Sequence, residues 1–198
     1  MGALVSVALL FSSLAVAGPE PAAQVVWIDM AHTPAAAEQV AQEEAERLLG
    51  QLGLSVRWRH GAPGDVLAEG EFAVILLSRD RAARPGRFVL GACNSRSVTP
   101  RAWVFLSSLQ WALSLPSLDT PAGGTRLGTA LGRIVAHEIV HAVAPGLQHA
   151  RDGLMAPRLD RTALLQPQMA IDPATRRVVR GLAVAGAVAR ASLASLSN

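Results

Sequence analysis

Residues 137–155 read HEIVHAVAPGLQHARDGLM, and three of the chain's five histidines fall in the first thirteen of them. His137 and His141 are four apart. On a helix that spacing stacks two side chains on one face, with Cβ atoms about 5–6 Å apart. Their imidazoles can then converge on one ion at about 2.0–2.1 Å. Glu138 adjoins His137 but does not fully share its direction, so its carboxylate reaches a water on the ion rather than the ion. That arrangement suits hydrolysis, because zinc lowers the pKa of a bound water towards about 7 and a carboxylate takes the proton. Zinc is the expected cofactor: the ligands are imidazoles, and a catalytic site keeps one position open beside three protein ligands.

The third ligand has two candidates. His149 follows the Pro145-Gly146 break, where a returning chain can swing round to the ion. Asp152 is its rival three residues on. A glutamate from a later helix is excluded, because Glu138 is the last glutamate in the chain. His32 and His60 lie upstream, at strand ends or in loops, and read as incidental.

Together, His137, Glu138, His141, Gly146, His149 and Met155 resemble the zinc-binding consensus of the metzincin metallopeptidases. Four residues (AVAP) separate His141 from Gly146 where the common pattern has two. In that respect the chain looks like small exported bacterial predicted proteases with a lengthened spacing to the third histidine and a following Gly-Leu-Met, here Gly153-Leu154-Met155. The resemblance is specific over about residues 127–157. It implies an α+β, zincin- or metzincin-like fold. A twisted mixed sheet would pack on helices, with an active-site helix, a methionine turn and a C-terminal helix. It also implies that His137, His141 and His149 bind Zn2+, that Glu138 is the catalytic base, and that Met155 forms a hydrophobic floor. The family's edge strand, which pairs with substrate backbone, maps loosely to Arg87–Ala92. The chain has no tyrosine. Oxyanion stabilisation would therefore fall to the metal, the backbone or Arg158, and the sequence singles out none of them.

The elements that must position these residues are legible in outline. Gln24–Met30 is short, β-branched and bounded by turn residues, as a strand is. Pro34 opens a helical run to about Gly50, with Thr33 as the expected N-cap. Val40, Leu48 and Leu49 give that helix an apolar face, while Glu38, Glu43, Glu44 and Glu46 read as solvated. Leu54–His60 alternates with period two. Phe72–Ser78 is a continuous apolar run, consistent with a strand buried on both faces. Arg79–Gly86 reads as a basic loop, Arg87–Ala92 as a weaker strand and Ala102–Ser107 as another. A loose stretch to Gly124 follows, then a helix over Thr125–Val143 stopped by Pro145-Gly146. Asp172-Pro173 starts a last helix. A helix between the first two strands implies a crossover and a partly parallel sheet.

Composition narrows the classes of function. All 18 basic residues are arginine and they are scattered. With no aromatic interleaving and no basic helix stripe, they read as a solvated surface, and no nucleic acid is expected. Residues 1–17 carry no charge and end in Ala15-Val16-Ala17, a small-x-small cleavage pattern. Their apolar run falls short of the roughly 20 residues a spanning helix needs. We therefore expect a signal peptide over 1–17 and one metalloprotease-like catalytic domain over 18–198, secreted or periplasmic, monomeric and without a membrane span once processed. Cys93 is the only cysteine, so no intrachain disulfide forms. It reads as a small buried residue or as a thiol able to block a metal.

The expected activity is an exported zinc-dependent peptidase, an endopeptidase acting on peptide or protein substrates. Two alternatives stand beside it: a non-catalytic zinc-stabilised envelope binding module, and a zinc hydrolase of another amide. Glu138→Ala separates the binding module from the two hydrolytic readings, since it spares a structural metal site and disables a hydrolytic one.

Overall fold

Residues 22–29 and 71–77 are rich in β-branched and aliphatic side chains, and they become the two central strands. In the computed structural model, which describes residues 22–79, 89–97, 99–115 and 120–183, these are β1 (Ala22–Asp29) and β3 (Glu71–Leu77). With β2 (Ser55–His60), β4 (Gly91–Asn94) and β5 (Arg101–Phe105) they form a sheet in the order β2-β1-β3-β5-β4. The first four run parallel. Only β4, at one edge, is antiparallel, pairing Gly91 with Val104 and Cys93 with Ala102. Val25 and Trp27 of β1 face the main core; Val26 and Ile28 face a smaller one closed by Leu67 from the 61–70 loop. Burial on both faces explains why β3 reads as an unbroken apolar run.

The main core lies between the sheet and two helices, α1 (Ala35–Gln51) and α3 (Pro121–Val143). Between β5 and α3 sits α2 (Leu106–Leu113), and after α3 come α4 (Arg161–Leu165) and a helix over 173–183, α5. Helices α1 and α3 touch along a line of small residues. A Cβ at Gly128 would lie 2.6 Å from the Ala37 carbonyl oxygen, and one at Gly132 would collide with the Ala41 carbonyl. Mid-helix glycine costs about 0.5–1 kcal/mol relative to alanine, so these positions are explained by the close backbone approach they permit.

A buried ion pair fixes the same interface. Arg133 of α3 is 1% exposed. Its Nε donates to Glu44 Oε1 of α1 at 2.8 Å, its Nη1 to Ala163 O at 3.0 Å and its Nη2 to Gln166 O at 2.8 Å. One guanidinium thus ties α1, α3 and α4 together, with all three nitrogens satisfied. Burial alone would raise the Glu44 carboxyl, but hydrogen bonds from Arg47 and Arg133 outweigh it and hold the group below its usual range.

Several details differ from expectation. Pro34, not Thr33, occupies the N-cap of α1 and offers no side-chain cap. Asp29 organises the turn instead, accepting from Ala31 N at 2.8 Å and Thr33 N at 2.6 Å. Glu44 is not merely solvated. The weak strand expected over Arg87–Ala92 is found over Gly91–Asn94, because the antiparallel register with β5 begins at Gly91; Arg87 and Phe88 lie outside the described residues. The stretch after β5 contains α2, and α3 begins at Pro121, capped by the Thr120 hydroxyl accepting from Gly123 N at 3.1 Å. The leader at 1–17, nearly all of the Arg79–Gly86 loop and the tail beyond 183 lie outside the described residues. Among the described residues no helix is long and apolar enough to cross a membrane.

Candidate metal centre

Helix α3 positions the first two histidines. From Leu127 to Val140 nearly every residue is buried, because α1, the sheet and the chain after Met155 surround the helix. The helix ends at Val143, two residues past His141. Ala144 N still donates to Val140 O at 2.9 Å, and Leu147 N closes the turn onto Ala144 O at 3.0 Å. Gly146 takes φ +92°, a left-handed conformation that glycine adopts without strain. The four residues AVAP are thus absorbed by a last half-turn of helix and this tight turn, and His149 returns to the other two.

The three rings converge. His141 Nε2 lies 3.1 Å from His137 Nε2 and 3.1 Å from His149 Nε2, and the three ligand atoms are within 4.8 Å of one another. His137 Nδ1 donates to the Leu154 carbonyl at 2.7 Å. A carbonyl can only accept, so the His137 proton sits on Nδ1 and Nε2 presents a lone pair to the cluster. One His141 Nε2 atom offers one proton or one lone pair, so linear hydrogen bonds cannot satisfy both of its contacts. A cation shared by three lone pairs does. Two nitrogens bound tetrahedrally at about 2.0–2.1 Å lie about 3.3–3.4 Å apart, close to the observed spacing, so the residues fit zinc. Burial, and then the neighbouring rings, push His137 down to about 4, and burial followed by His149 lowers His141. Both are therefore neutral near pH 7, the form that ligates metal.

Glu138 is 6% exposed and makes no hydrogen bond among the described residues. Burial pushes its carboxyl up to about 7. A base with that pKa can take and return a proton at neutral pH. It is held against the edge strand: a Cβ on Gly91 would lie 2.6 Å from Glu138 Oε1. Beside it opens a cleft of about 700 Å³, walled by Leu90, Gly91, Ile134, His137 and the chain from Ala156 to Arg161.

The structure therefore brings together His137, Glu138, His141 and His149. Asp152 is exposed and stands outside the cluster. His60 is far from it in the fold, with Nε2 2.5 Å from Glu38 Oε1 on α1. Met155 is fully buried in the core, next to the Leu154 whose carbonyl orients His137. Gly153 precedes them at φ +74°, and a Cβ there would lie 2.5 Å from the Ala170 carbonyl oxygen. Arg158 lines the cleft. Cys93 is not in the cluster; burial, then the charge of Glu138, pushes its thiol up to about 12, so it stays protonated and is a poor ligand. Sequence reasoning missed Leu154 and Gly91. Leu154 acts through a backbone carbonyl, which has no residue signature. Gly91 matters only through the register that brings β4 against α3.

No protein-family model matches the chain, and no curated protein is measurably similar to it in sequence. Solved structures do share its fold. One is a zinc-dependent peptidase from Methanocorpusculum labreanum, 15% identical, with a TM-score of 0.56 over 78% of this chain and 99% of that one. The chain thus has the mixed α+β fold of a zinc peptidase, and it carries a three-histidine cluster compatible with a metal.

Proposed function

We propose that this chain is a metzincin-like zinc endopeptidase, exported by a signal peptide over residues 1–17. The observation that carries the reading is the convergence of His137, His141 and His149 beside a buried Glu138 that has no hydrogen-bond partner among the described residues. The three imidazoles hold the metal, with His137 fixed in tautomer and direction by the Leu154 carbonyl. Zinc bound there supplies a Lewis acid that acidifies water and polarises a carbonyl. Glu138 takes the proton of the attacking water and later delivers it to the leaving amine. Burial raises its proton affinity above that of a solvated carboxylate, which favours both transfers. Met155 packs as the apolar floor of the segment that orients His137. As the edge strand among the described residues, β4 would offer backbone groups to an extended peptide lying over the cleft.

Glu138→Ala tests the reading directly. The variant should retain stoichiometric zinc and lose hydrolysis of a peptide library by about 10²-fold or more. Wild-type protein that binds zinc stoichiometrically yet cuts no peptide would overturn it. N-terminal sequencing of the secreted form should begin at Gly18.

A further inference from the structure

The cleft beside Glu138 contains two cations that the proposed water activation by Glu138 does not employ. After Met155 the chain runs through Ala156 and Pro157, then places Arg158 and Arg161 on the cleft wall. Both are exposed, and neither has a hydrogen-bonded or ionic partner among the described residues. The carboxylate nearest them in sequence, Asp160, already has an occupation: its Oδ1 caps α4 by accepting from Ala163 N at 2.9 Å. Apart from His137, Glu138 and Asp160, the rest of the wall is apolar. Val89 and Leu90 come from the segment entering β4, and Trp111 of α2, 62% exposed, stands at the same cleft. Apolar walls reduce the screening of the two charges and sharpen what they select. A guanidinium fork matches a carboxylate with two parallel hydrogen bonds.

We propose that this cleft is a carboxylate-selective subsite in which Arg158 and Arg161 are specificity-determining residues and Trp111, Val89 and Leu90 pack the aliphatic stem of the bound residue. The inference rests on the peptidase reading for its substrate class. The carboxylate comes either from an Asp or Glu side chain beside the scissile bond or from the free C-terminus of a short peptide.

The test uses the full zinc-loaded chain and matched peptides: Glu against Gln and Asp against Asn beside the scissile bond, each with a free and an amidated C-terminus. The carboxylate-bearing member should be preferred in kcat/KM by about tenfold or more, the scale of one charge-assisted hydrogen bond. The preference should shrink as salt is raised. Arg158→Glu and Arg161→Glu should each collapse it, and the pair should reverse it in favour of Lys. Arg158→Gln and Arg161→Gln serve the same purpose if charge reversal unfolds the chain. Loss of preference on Glu-to-Gln exchange assigns the side chain, and loss on amidation assigns the terminus. Equal cleavage of acid and amide members overturns the subsite and leaves the peptidase standing. Fluorescence anisotropy of labelled peptides on the Glu138→Ala chain reads the subsite without turnover. A carboxylate preference there with no cleavage by wild type would keep the subsite and overturn the peptidase.

Discussion

Gly91→Ala separates metal binding from chemistry. The added methyl would lie 2.6 Å from Glu138 Oε1, 2.9 Å from Ile134 Cγ2 and 3.2 Å from Glu138 Cδ. Something must move. Ile134 is β-branched and stiff within its helix, whereas the Glu138 carboxylate is the far end of a flexible chain. The carboxylate therefore yields, by about 1 Å. That shift leaves the 2.9 Å contact with Ile134 Cγ2 unrelieved, so the upper half of the about 1–3 kcal/mol overpacking range is expected. For a chain of this size that lowers Tm by about 2–4 °C per kcal/mol. Catalysis should suffer far more, since displacing a catalytic group by about 1 Å costs about 10²-fold. The imidazoles do not touch the new methyl, so zinc content should stay at the wild-type level. Elemental analysis, a thermal melt and kcat/KM on one peptide measure the three effects. Retained zinc with hydrolysis within about twofold of wild type would refute the claim that β4 sets the position of the base.

Other outcomes follow from neighbouring features. His149→Ala should lose zinc under dialysis against a mild chelator, while Asp152→Ala should keep it; the reverse pattern would move the third ligand to Asp152. Glu44→Ala strands Arg133 as a buried unpaired cation and should cost about 3–5 kcal/mol, read from denaturant midpoints. Glu44 is held below the ordinary carboxylate value, so the folded chain binds fewer protons there than the unfolded one near that pH. Its contribution is complete above that value and disappears as pH falls through the folded pKa. Wild type should therefore lose more stability than Glu44→Gln between pH 7 and pH 3.

The two central strands, α1, the ligand helix and the last helix could all be read from the sequence, because each bounds its own hydrophobic period with its own stop signal. Helix α2 could not. Leu106, Leu109 and Leu113 have helical spacing, but the apolar run of β5 passes into them with no intervening turn residue. Strand β4 was displaced because its position is set by pairing with β5, a long-range register. At the site, the neighbourhood of His137, Glu138 and His141 is evident from spacing, whereas the approach of His149 rather than Asp152 to the two helical histidines depends on the course of the chain after Gly146. Arg133 was indistinguishable from the other arginines. Its burial follows from the packing of three helices.

All three imidazoles lie on one stretch of thirteen residues, 137–149, and the carbonyl that orients the first of them is only seventeen residues from it. A metal bound there closes a small local ring and links no distant parts of the chain. The sheet, the α1–α3 seam and the Arg133 tie lie outside that ring. Stripping the metal should thus behave as local unfastening rather than unfolding. Amide hydrogens of 144–155 should exchange faster, while those of β1, β3 and the first half of α3 keep their protection. The fold would then persist whether or not the three-histidine cluster is filled.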